Sequence, residues 1–179
     1  GGQVGGGEFG VTLQEAAIRR MSFAPGSDTI FSIDRIAKDK GVRAHYSVAV
    51  AGERIFFLSP QGFVETNQSG QLKPIGEERV NRSFFAEYDA QRPDLMLGVA
   101  DPASHNILWV YRTAGFVGDL FNKALVYNWA LDRWAPVTLQ GEFLAMTSWT
   151  IFALLTHLLA SSTSASACTM SQVPSGNRS

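Results

Sequence analysis

The chain has 179 residues, 45% of them hydrophobic, 11% aromatic and only 17% charged, which is room for one ordinary domain with a sizeable core. The formal net charge of −1 lacks the basic excess of strong nucleic-acid binders. The single cysteine, Cys168, can form no internal disulfide and no cysteine-built zinc site. No signal peptide is visible, and the apolar run from Ile151 to Ala160 is too short for a bilayer, which takes about 20 residues.

Gly1 to Gly7 is glycine-rich and without an initiator Met, and reads as the interior of a longer protein. Phe9 to Gln14 and Ala17 to Phe23 are β-compatible, Ala24 to Asp28 signals a turn, and Ile30 to Asp34 reads as a further strand. The densest basic stretch, Arg35, Lys38, Lys40 and Arg43, is interrupted by Asp39 and preceded by Asp34, which suits a solvated turn. From Gly41 the pattern sharpens. Tyr46 to Val50, Ile55 to Ser59, Phe63 to Thr66 and Leu72 to Ile75 are short strands separated by Ala51 to Arg54, Pro60 to Gly62 and Asn67 to Gly70. Short strands with glycine-containing turns at such spacing make an antiparallel meander.

Glu77 to Ala90 is predicted helical, with Val80, Phe84 and Tyr88 on one face, Phe85 widening it and Pro93 as its outer limit. Glu77-Glu78-Arg79 is expected in its first turn, where carboxylates meet the positive end of the helix dipole. A second meander follows: Leu95 to Val99, Ile107 to Tyr111, Ala124 to Trp129 and Arg133 to Val137, with turns at Asp101 to Asn106 and Ala130 to Asp132 and a loop from Thr113 to Asn122. Trp109, Tyr127 and Trp134 are expected to pack across neighbouring strands.

The fold class expected is therefore mainly β: antiparallel meanders forming blades of a partial β-propeller, with blade-like units near 41–76 and 94–137 and one short helix near 77–90. The domain is expected over 1–149. The tail, 150–179, is apolar and then Ser-rich; Ile151 to Ala160 is expected as a short helix, and the rest as disordered or as an aberrant end from a shifted reading frame.

Four stretches in order carry a resemblance: Gly6 to Met21; Tyr46-Ser47-Val48 with Arg54 to Phe63; Pro74 to Asn81; and Leu125 to Trp134. Over about residues 5–149 the chain resembles the β-propeller-like structural proteins of tailed bacteriophages and prophages. The resemblance implies a virion component near the head-to-tail junction or in the tail. Its partners would be other virion proteins and copies of itself in a ring, and it supplies no catalytic residue.

No enzyme chemistry is expected. His45, His105 and His157 lack metal-ligand spacing. Gly5 to Gly10 lacks the Lys-Ser/Thr of a phosphate-binding loop, and no Gly-x-Ser-x-Gly elbow is present. The carboxylates that a glycoside-cleaving propeller would use, Glu15, Asp34, Glu65, Asp89 and Asp101, show no spacing that selects a pair. The sequons at Asn67 and Asn81 matter only in a secreted eukaryotic chain. No catalytic, cofactor-binding or metal residue is assigned. The alternatives are a carbohydrate-binding or carbohydrate-cleaving propeller, with Trp and Tyr stacking on sugars, and a kelch-like cellular scaffold.

Overall fold

A computed structural model describes residues 9–26, 28–38, 40–67, 70–147 and 150–154. Strands β1 (Phe9–Leu13), β2 (Ala17–Phe23) and β3 (Phe31–Lys38) form a three-stranded sheet. Strands β4 (Ala49–Ala51), β5 (Arg54–Ser59), β6 (Gly62–Asn67) and β7 (Leu72–Pro74) form a four-stranded meander. After helix α1 (Asn81–Glu87), a second meander is built from β8 (Met96–Asp101), β9 (Asn106–Tyr111), β10 (Phe121–Asn128) and β11 (Arg133–Gly141). A two-stranded hairpin, β12 (Phe143–Thr147) and β13 (Thr150–Leu154), ends the described chain. All pairings are antiparallel.

The turns have local causes. Ala51 pairs with Arg54 across Gly52-Glu53, where Gly52 takes a left-handed φ of 61°. At the β5–β6 turn Gly62 has φ 134°, and a Cβ there would lie 1.9 Å from the Asn81 amide nitrogen. The β8–β9 turn closes on the Asp101 carboxylate, which accepts from the Ala103 and Ser104 backbone N–H groups and from the Ser104 hydroxyl. Asn128 holds the β10–β11 turn by accepting from the N–H groups of Ala130 and Leu131.

The sheets stack face to face. One face of β4–β7 (Ile55, Phe57, Val64) packs on Val11 and Ile18 of the first sheet. Its other face (Phe56, Leu58, Phe63) packs on Met96, Trp109, Tyr111 and Tyr127 of the second meander. The far face of that meander buries Leu108, Val110 and Ala124. Strand β4 runs beside β8, and β8 beside β12, so the first strands of successive sheets are neighbours. This is how blades stand around an axis, and the expected partial propeller-like architecture is what forms.

Several expected elements differ. Tyr46 and Ser47 are not in a strand but in a 3-10 turn, His45–Ser47. Buried Ser47 closes it, since its hydroxyl donates to the Ala44 carbonyl at 2.7 Å and accepts the Leu58 N–H at 3.0 Å. The helix is shorter than 77–90, because the Gly76 carbonyl gathers the N–H groups of Arg79, Val80 and Asn81. Glu78 has φ 57° there, so Glu77-Glu78-Arg79 precede the helix and meet no dipole. The expected face does form: Phe84 and Tyr88 are buried, with Val80 and Phe85 packed beside them. Arg35 to Lys38 complete β3 rather than a turn, and Arg43 sits 5.7 Å over the Phe85 ring. Ile151 to Leu154 form strand rather than helix, because β12 offers a pairing partner; a short apolar run carries no period that separates the two. Residues 155–179, with Cys168 and His157, lie outside the described residues.

Candidate interaction surface

The aromatic residues expected to pack across strands do so. Trp134 stacks on Tyr127 at 4.6 Å and on Trp109 at 5.6 Å between ring centroids. The Trp109 indole N–H donates to the Ser47 carbonyl at 2.8 Å, and that of Trp134 to the Ile75 carbonyl at 3.1 Å. Trp129 lies 5.5 Å from Phe56, also against the core. Trp109 is thus fully buried framework, and Trp129 and Trp134 are partly buried against the same core.

The carboxylates weighed for glycoside chemistry lie on separate segments, most with their own partners. Asp34 is 3.9 Å from Arg20, Glu65 is 3.0 Å from Arg54, and Asp89 is 3.6 Å from Arg112. Asp101 is spent on its turn, and Glu15 is exposed in the β1–β2 connection. His45 is exposed, and His105 occupies a left-handed turn position (φ 58°) edge-on to Trp129. Asn81, a sequon residue, accepts from the Phe63 N–H and donates to the Gln61 carbonyl. Its amide is thus committed to the β5–β6 turn, beside a cavity of about 260 Å³ that Lys40 and Glu77 also line.

Polar chemistry concentrates where α1 meets the β9–β10 connection. The Glu87 carboxylate receives the Tyr111 hydroxyl at 2.5 Å and pairs with the Lys123 ammonium. Burial pushes its pKa up, but the hydrogen bonds from Lys123 and Tyr111 outweigh burial and hold it below the usual value. Burial first, and then Glu87, push the Tyr111 phenol up. Beside this pair, Arg92 bridges Asp94 and Asp119, each at 3.0 Å. Hydrogen bonding to Arg92 lowers the Asp94 carboxyl.

These contacts fix the loop that the sequence marks between Thr113 and Asn122. Its base is tied by Thr113 and Asn122, which exchange hydrogen bonds of 2.8 and 2.7 Å. Arg112 donates to the Phe116 carbonyl at 2.8 Å, and Asp119 meets both Arg92 and Arg112. Between Gly115 and Gly118, both at positive φ, Val117 stands 92% exposed. The loop is a held one with an apolar tip, a form suited to contact with another protein.

A larger surface lies at the opposite end of the sheet stack. On the outer face of β1–β3, Phe23 pairs with Phe31 and Met21 with Ile33. Phe23 is 45% exposed, Phe31 51% and Ile33 58%, with Ile30 adjoining and the two Phe rings 5.9 Å apart. Arg19 and Arg35, also paired, border the patch. The alternation Phe31-Ser32-Ile33-Asp34 signals two apolar residues on one face, but sequence could not tell that no other described residue covers this face. Among the described residues no helix is long and apolar enough to cross a membrane. No protein-family model and no curated protein sequence matches the chain.

Proposed function

We propose that the chain is a structural or assembly component of a tailed-phage virion, at the head-to-tail junction or in the tail, and that it acts through protein–protein contacts. The observation that carries this reading is the apolar face of Phe23, Phe31 and Ile33, which is exposed among the described residues. It is a sheet face of the same kind as those buried between the blades, and contiguous exposed apolar patches mark protein contacts. The four-stretch resemblance supplies the virion setting.

The test is mass spectrometry of particles purified after induction of the source bacterium's prophage. Peptides of this chain should co-purify with capsid and tail proteins at a fixed multiple-copy ratio. Intact particles without the chain, found instead in the soluble cell fraction, would overturn the reading.

A further inference from the structure

We propose that the outer face of β1–β3 is met by an acidic protein surface, whose carboxylates lie over Arg19, Arg35 and Lys38 while its apolar side chains lie over Phe23, Phe31 and Ile33. The inference rests on the assembly reading above and names the chemistry of the partner.

The charge pattern of the face carries it. Cross-strand partners share a face, and Ala17, Arg19, Met21 and Phe23 alternate on the outer one. Their partners on β3 are, in turn, Lys38, Arg35, Ile33 and Phe31. The face therefore runs from cations at one end to aromatic rings at the other. Lys38 reaches it only because the ladder shifts register between Ile18 and Arg19. There Ile36 and Ala37 both pack inward, against the buried cluster that holds Val11 and Ile18. In an unbroken ladder Ala37 would lie opposite Ala17, and Lys38 would fall on the inner side. Register shifts of this kind re-aim side chains.

No group in these strands balances the charges. Arg19, Arg35 and Lys38 are exposed, and like charges directly opposite each other, as at Arg19 and Arg35, destabilise a sheet. The only carboxylate in the three strands, Asp34, lies opposite Arg20 and so on the other side. Among the described residues neither Arg35 nor Lys38 makes an ion pair, and Arg19 donates to the Gln14 side chain. Carboxylates brought by a partner would relieve the repulsion, and complementary charge also fixes register and excludes wrong partners. Nucleic-acid phosphates fit less well, because the net charge of −1 supplies no basic excess and half of the face is apolar.

Wild-type chain and a variant, expressed together during prophage induction, test this. Mass spectrometry compares their ratio in purified particles with their ratio in the cell. Arg35→Glu should be about tenfold or more under-represented in particles, and Arg35→Lys should match the wild type. Arg35 is exposed, so the fold should survive the change, which circular dichroism of the purified variant checks; Lys38→Glu serves if it does not. A carbodiimide, which joins an amine to a carboxylate, should link Lys38 to an Asp or Glu of another virion protein. Arg35→Glu at parity overturns the proposal. So does a Lys38 that forms no link outside this chain's own copies, and so does release of the chain from particles by nuclease, which would put phosphates on the cations. A chain absent from particles removes the assembly reading and this inference with it, whereas a chain present with Arg35→Glu at parity removes this inference alone.

Discussion

Replacing Trp109 with Phe should be among the costliest single conservative changes in this fold. The indole is fully buried between the two meanders, against Phe63 at 4.6 Å and Trp134 at 5.6 Å. Phe keeps a ring in place but removes the N–H that satisfies the Ser47 carbonyl. Leaving that carbonyl buried and unpaired costs about 1–3 kcal/mol. The smaller ring leaves a void worth on the order of 1 kcal/mol more. The sum, about 2–4 kcal/mol, is a large share of a domain's stability. Urea unfolding followed by circular dichroism measures it. With a slope of about 2 kcal/mol per molar, the midpoint should fall by about 1–2 M with the slope unchanged. A fall below about 0.3 M would refute the reasoning, since the Ser47 carbonyl would then have found another donor or the two meanders would not be seated as described.

Gly98→Ala should destabilise through the same contact, because a Cβ at position 98 would lie 2.5 Å from the Ser47 carbonyl oxygen and 2.8 Å from the Trp109 ring. Backbone on one side and a packed indole on the other leave little room to shift, so a loss of about 1–3 kcal/mol is expected from the same urea measurement. Glu87 should contribute pH-dependent stability. Its folded pKa lies below its unfolded value, so the contribution is fully present above the ordinary carboxylate range and disappears as pH falls through the folded pKa. Unfolding midpoints of wild type and Glu87→Gln, measured from neutral pH downward, should therefore converge in acid, and a constant gap would refute this.

Much of the fold was legible in the chain itself. The short β-branched and aromatic runs and the turn residues of Ile55 to Thr66 and Ile107 to Trp134 mark two meanders, because strand-prone runs bounded by turns, with left-handed positions at Gly52 and Asp132, act locally. The same holds for the helical face of Val80, Phe84 and Tyr88. Local signals fail where a distant partner decides. Ser47 leaves the strand pattern because Leu58 and Trp109 claim its polar groups. Ile151 to Leu154 are strand because β12 lies beside them. The candidate surface belongs wholly to this second class. Phe31-Ser32-Ile33-Asp34 alternates as a half-buried strand would, yet among the described residues its apolar face is exposed, whereas the continuous apolar run Ile55 to Leu58 is buried on both faces. Periodicity assigns residues to a face, but only the order in which sheets stack decides which face meets another layer and which stays exposed among the described residues.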